Sequence, residues 1–351
     1  MIPRSSVEDG GVEGKNMQAT AENLVSLGAG RMGRSIAVAC ALAGRDFTLV
    51  DLRDRTAEGF AQLAAAVRTE LNDILDHLVG LDLFPAAGKD AVLERIRLVG
   101  RAEAPAAVAA ATVLFEAVPE TVEAKREALG EAGAWLSPEA IVASTSSTML
   151  SGELAAFVPR PERFLNAHWL NPAYLVPLVE VAPHAGTLPE VREHVLAVLR
   201  AVGKVPVVCS GAAGYIVPRL QVVVMNEAAR MIEQGAATAE DIDLAIRYGF
   251  GIRYASMGVA EFIDFGGVDI IYHASRYLAD KLADDRYACP DIVSTKMAAG
   301  ELGVKTGRGF YEWDAAKAAS FQQEAMRRFA GLLKLHGLTP MPTEDAATPK
   351  S

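Results

Sequence analysis

His168 and Glu180 stand twelve residues apart, and their side-chain types suit them to a single task. An imidazole can accept a hydroxyl proton near neutral pH. A carboxylate on its other nitrogen fixes the tautomer and stabilises the imidazolium that forms. Upstream the chain reads Gly28-Ala29-Gly30-Arg31-Met32-Gly33, a GxGxxG run. In such a run the first glycine allows a tight turn, the second lets the backbone approach a pyrophosphate, and the third lets helix and strand close up. The helix N-terminus then faces the anion. A base, its orienting acid and a dinucleotide site together point to redox chemistry, in which a carbon loses hydride as its hydroxyl loses a proton.

These residues need elements to hold them. Leu24 to Leu27 reads as a strand running straight into the glycines, and Ile36, Ala37, Cys40 and Ala41 give the following helix one apolar face before Gly44 ends it. A second strand, Phe47 to Val50, ends at Asp51, where a carboxylate can bond a ribose diol and repel a 2′-phosphate. That charge favours NAD, with NADP kept as the alternative by Arg53 nearby; a purely structural turn is the bland reading of the glycines. Strand-like runs near 23–27, 47–51, 112–116, 140–145, 164–167, 178–182 and 205–209 alternate with helical spacing. Beyond Ser210-Gly211-Ala212-Ala213-Gly214 the pattern turns helical, from Tyr215 through Gln234 and again from Ala239 to Tyr248.

The fold class expected is α/β: a Rossmann-type, doubly wound, mostly parallel sheet over residues 21–210, followed by an all-α substrate and dimerisation domain over 211–337. Residues 1–20 and 338–351 read as tails. With 351 residues and 51% hydrophobic content the chain can fill two cores. Three scattered cysteines argue for a reducing compartment and against a disulfide frame or a zinc site. No apolar stretch approaches the roughly 20 residues needed to span a bilayer, and the N-terminus lacks a signal-peptide core. The net charge of -10 is spread without a basic stripe. The expected partner is therefore a small molecule rather than nucleic acid or a membrane, and the expected location is the cytoplasm.

Five ordered motifs carry a resemblance: the glycine fingerprint, Phe115-Glu116-Ala117-Val118-Pro119-Glu120, Ser144-Thr145-Ser146-Ser147, His168-Trp169-Leu170-Asn171-Pro172 with Glu180, and Lys305-Thr306-Gly307-Arg308-Gly309-Phe310-Tyr311. Together, over roughly residues 22 to 312, they resemble the 3-hydroxyacyl-CoA dehydrogenase family. The resemblance implies NAD-dependent oxidation of a 3-hydroxyl, within fatty acid metabolism, by a homodimer. It makes His168 the general base, Glu180 its partner, Ser146 a hydrogen-bond donor to substrate oxygen and Asn171 part of the pocket floor. By the same correspondence Glu120 and Lys125 touch the nicotinamide half of the cofactor. A histidine before Trp-Leu-Asn-Pro can also be a satisfied core residue, and a strand-end serine can simply cap the next helix.

The chain departs from the family in two places. Where relatives read Pro-Gly-Phe-x-x-Asn-Arg, this one reads Ala213-Gly214-Tyr215-Ile216-Val217-Pro218-Arg219, with proline replacing an asparagine that would hold substrate oxygen. Between Asp51 and Lys89 no lysine occurs, while Glu58, Glu70, Asp73, Asp76 and Asp82 make the segment acidic, which disfavours docking of nucleotide phosphates. Gly251-Ile252-Arg253-Tyr254-Ala255 is similar to a stretch of the branch containing lambda-crystallin and gulonate dehydrogenase. Arg253 there either clamps a substrate carboxylate or pairs with Glu261 or Asp264. A free hydroxy acid or small secondary alcohol is thus the alternative substrate, and a non-enzymatic NAD-binding structural protein is the third reading.

Overall fold

The computed structural model describes residues 22–338. Contacts divide the chain into two compact units, Met1–Val223 and Val224–Ser351. The first holds an eight-stranded sheet of order β3-β2-β1-β4-β5-β6-β7-β8. Its strands are β1 (Leu24–Leu27), β2 (Phe47–Val50), β3 (Ile96–Val99), β4 (Val113–Glu116), β5 (Ile141–Ser144), β6 (Phe164–Trp169), β7 (Leu178–Pro183) and β8 (Val205–Val208). All neighbours run parallel except β6 and β7, which are antiparallel. The expected doubly wound, mostly parallel sheet is what the chain forms. Ile96–Val99 is one strand more than the sequence analysis found.

Strand periodicity sorts the core into two layers. Leu24, Phe47, Leu49, Val113, Phe115, Ile141 and Ala143 face one layer, with Ile36, Leu71, Leu75, Val191 and Val195 packed there. Val25, Leu27, Val50, Leu114 and Val142 face the other, against Val108, Leu129 and Leu154. The first layer is covered by α1 (Arg31–Leu42), α2 (Ala57–Gly80), α3 (Lys89–Glu94) and, crossing from β7 to β8, α7 (Pro189–Ala201); the second by α4 (Ala104–Ala109), α5 (Val122–Gly133) and α6 (Ser151–Leu154). Strands covered on both faces must be apolar throughout, which explains the continuous runs in the sequence. Thr56 starts α2 by accepting from the Gly59 amide (3.1 Å), and Thr121 starts α5 by accepting from Ala124 (3.3 Å).

The division between units falls within α8 (Val217–Glu233). The second unit carries α9 (Ala239–Leu244), a π-helical stretch Ala245–Gly251, α10 (Ile252–Ser256), α11 (Val259–Gly266), α12 (Val268–Leu282), α13 (Asp291–Ala298) and α14 (Ala315–Leu335). It is organised around Asp264, whose carboxylate accepts from the Phe310 and Tyr311 amides and from Trp313 Nε1, each at 2.8 Å. The run Lys305–Tyr311, shared with the resembled family, is therefore a structural clasp in this unit. Among the described residues no helix is long and apolar enough to cross a membrane.

Candidate active site

Antiparallel pairing of β6 with β7 puts His168 directly opposite Glu180. His168 Nδ1 lies 2.9 Å from Glu180 Oε2. The other carboxylate oxygen, Oε1, accepts from the Ile216 and Val217 amides at the start of α8, at 2.9 and 2.8 Å. Glu180 is wholly buried, so three donors replace the water it has lost. With Nδ1 engaged, Nε2 is the imidazole nitrogen left for chemistry, and His168 lines a crevice of about 1260 Å³.

The same crevice is lined by Gly28, Gly30, Arg31, Met32, Asp51, Glu120 and Asn171. Gly28 has φ +114°, and a Cβ there would meet the Ala117 carbonyl oxygen at 2.6 Å; one on Gly33 would meet Ser26 Oγ at 2.8 Å and collide with the Gly28 carbonyl. Gly30, which caps α1, has open space where its Cβ would be. A pyrophosphate can therefore reach the α1 amides. Asp51 is buried at the end of β2 and holds Arg55, an ion pair that pushes the guanidinium above its usual range. Its Oδ1 has no partner among the described residues and suits a ribose hydroxyl. Cradle, helix terminus and acid fit a dinucleotide.

A polar chain runs into the crevice from beneath. Glu116 and Lys125 are both fully buried; Lys125 Nζ lies 2.9 Å from each Glu116 oxygen and 3.1 Å from Glu120 Oε2. Glu120 also accepts from the Ser146 hydroxyl (2.5 Å) and from the Ser147 and Thr148 amides (2.9 and 3.2 Å). Burial alone would push the Glu120 carboxyl up, but the Ser146 hydroxyl and the Lys125 ammonium beside it outweigh burial and hold it at about 2.

This arrangement places two of the expected contact residues beneath the crevice surface rather than on it. Lys125 does not line the crevice, because two carboxylates sequester its ammonium, and one of them, Glu120, reaches the crevice. Ser146 is equally buried, its hydroxyl given to Glu120 while accepting from the Met149 amide (3.0 Å); the neighbours Thr145 and Ser147 line the crevice instead. In the second unit Arg253 is exposed beside Phe250, Tyr254 and Phe262. Neither acid weighed as its partner holds it: Glu261 caps the Gly258 amide (2.7 Å) and Asp264 is committed to Phe310, Tyr311 and Trp313.

Sequence reasoning did not identify Gln221, which lines the crevice one helical turn beyond Pro218, or the bonds that anchor the loop carrying Asn171. That loop is bonded on both sides: the Ala173 amide donates to Ser35 Oγ on α1 (2.8 Å), and Lys204 Nζ donates to the Ala173 and Val176 carbonyls (2.6 and 2.9 Å). Pro218 occupies the first turn of α8, which tolerates its missing N–H.

Comparison with known proteins identifies the family. The family model for the 3-hydroxyacyl-CoA dehydrogenase NAD-binding domain matches residues 23–212, and that for the C-terminal domain matches residues 214–313. A 3-hydroxybutyryl-CoA dehydrogenase of Bradyrhizobium diazoefficiens is 35% identical over 86% of this chain and 98% of its own length. A 5-formyl-3-hydroxy-2-methylpyridine 4-carboxylate 5-dehydrogenase of Mesorhizobium japonicum is 27% identical over 89% of this chain and 97% of its own. The crystal structure of a 3-hydroxyacyl-CoA dehydrogenase from Archaeoglobus fulgidus superposes with a TM-score of 0.72 at 30% identity, covering 90% of this chain and 99% of that one.

Proposed function

Because the chain belongs to the 3-hydroxyacyl-CoA dehydrogenase family of NAD-dependent oxidoreductases acting on CH–OH groups, we propose that it oxidises a 3-hydroxyacyl-CoA to the 3-oxo product with His168 as general base. The observation that carries this is the His168–Glu180 pair at a crevice that also holds the glycine cradle. Bound NAD supplies the hydride acceptor. His168 Nε2 takes the hydroxyl proton, and Glu180 stabilises the imidazolium without itself being protonated. Glu120, oriented by Ser146 and Lys125, would border the nicotinamide end of a bound NAD, and Asn171 with Ser147, which also line the crevice, would face the substrate.

A second reading, oxidation of a free hydroxy acid or small secondary alcohol, is favoured by α2. Glu58, Asp73 and Asp76 are exposed there, and only Asp76 is neutralised, by Lys89. Pro218 offers no donor to a thioester, and the Mesorhizobium relative is named for a pyridine carboxylate. Along α8, Leu220, Val222, Val223 and Met225 are more than half exposed, an apolar surface that supports a homodimer.

NADH absorbance with 3-hydroxybutyryl-CoA, longer 3-hydroxyacyl-CoAs, free 3-hydroxybutyrate and sugar acids separates these readings. Thioester turnover is expected, and turnover of free acids alone would replace it with the second reading. NAD binding without turnover of any alcohol would leave the non-enzymatic one. Sedimentation at micromolar concentration should give twice the 37.2 kDa subunit mass.

A further inference from the structure

The imidazole of His168 is held at its edge by Glu180, and its face is covered by Tyr215. The two ring centroids are 5.0 Å apart and the planes differ by 13°. The Tyr215 hydroxyl donates to the Ser146 carbonyl (2.7 Å) and accepts from Asn166 Nδ2 (2.8 Å). Asn166 lies two residues before His168 on β6, and its Nδ2 also donates to the Met149 carbonyl (2.9 Å). Tyr215 thus bridges the histidine strand and the Ser146–Met149 segment that carries Ser147 into the crevice.

The backbone is bent to place it there. Gly214 has φ +82° and Tyr215 φ +43°, a left-handed conformation that a bulky residue rarely adopts. The amides of the next two residues, Ile216 and Val217, are those that grip Glu180. Burial pushes the phenol above its ordinary range, so its oxygen keeps the proton it donates to Ser146.

We propose that Tyr215 is a positioning residue for His168: its ring fixes the plane of the imidazole, and its hydroxyl ties that plane to the Ser146–Met149 segment. An imidazole bonded only through Nδ1 can still swing about that bond, carrying Nε2 away from substrate oxygen; a ring laid on its face removes the freedom. The same face becomes a π surface for the imidazolium once the proton has moved. The inference rests on the base chemistry proposed for His168.

Two variants and one spectrum test it. Tyr215→Leu removes ring and hydroxyl and is expected to lower kcat on the order of 10-fold and to raise KM as much as loss of the hydroxyl alone does, leaving NAD affinity within about twofold. Tyr215→Phe keeps the ring and is expected to keep kcat within about twofold, while KM rises roughly fivefold as the Ser147 segment loses its tether. In the wild-type protein the His168 ring protons should be shifted upfield of those of the other five histidines by the Tyr215 ring current. Wild-type kcat in the leucine variant, or unshifted His168 protons, overturns the proposal. Should the leucine variant not fold, the wild-type spectrum decides. Absence of turnover in the wild type would instead sink the functional reading, and leaves the spectrum free to test the stack.

Discussion

Two fully buried carboxylates, one in each unit, are held in nearly the same way. Glu180 accepts from two successive backbone amides and one ring nitrogen, His168 Nδ1; Asp264 accepts from two successive backbone amides and one ring nitrogen, Trp313 Nε1. Each tethers a distant segment to its own element, α8 in one case and the Phe310–Trp313 turn in the other. The ring makes the difference. Indole has a single nitrogen, already spent, so the Asp264 web can only hold; imidazole has a second nitrogen, so the Glu180 web can hold and also move a proton. The buried acid alone does not mark a reaction centre.

The widest separation between the two webs should appear on truncation. His168→Ala is expected to lower kcat on the order of 10²–10⁴-fold with unchanged NAD affinity. Asp264→Ala should instead cost about 2–3 kcal/mol in urea unfolding, by stranding the buried Trp313 Nε1 donor and two part-buried amides, while the folded fraction turns over normally. Equal loss of activity in both variants would erase the distinction.

Isosteric changes sharpen it. Glu180→Gln must turn an amide N–H toward either the imidazole or the α8 amides, and a fall in kcat on the order of 10² is expected. Trp313→Phe keeps most of the ring and deletes one donor, so a stability loss of about 1–2 kcal/mol without a change in kcat is expected.

How much of this was legible beforehand depends on sequence distance. The glycine cradle, Asp51 and the alternating strands could be read because each is fixed by a local pattern, and His168 with Glu180 because two adjacent antiparallel strands join them. Ile96–Val99 escaped because an edge strand needs only one covered face: Arg97 is exposed and only Val99 is buried. The inward turn of Lys125 and Ser146 depends on Glu116 and Glu120 closing over them in three dimensions, and no spacing rule encodes that. The Tyr215 stack needs a left-handed backbone at a non-glycine residue, which the pattern of side chains does not announce.

The smallest effect concerns acid stability. Glu120 ionises at about 2 in the folded chain against an ordinary 4.5, so its contribution to folding is complete above about pH 4.5 and is lost as pH falls toward 2. Glu120→Gln should flatten the acid limb of a plot of Tm against pH in that window and leave the slope above it unchanged. An unaltered acid limb would mean that Lys125 is balanced by Glu116 alone.

Ala173 gives both of its backbone groups away, its N–H to Ser35 on the helix that opens the dinucleotide cradle and its carbonyl to the ammonium of Lys204. Its amide can meet solvent only when that helix parts from the loop, so the two segments open as one cooperative unit. A dinucleotide seated on α1 raises the cost of that opening by mass action. Deuterium uptake at Ala173 should therefore slow when NAD is added, making a residue outside the crevice lining a reporter of cofactor occupancy.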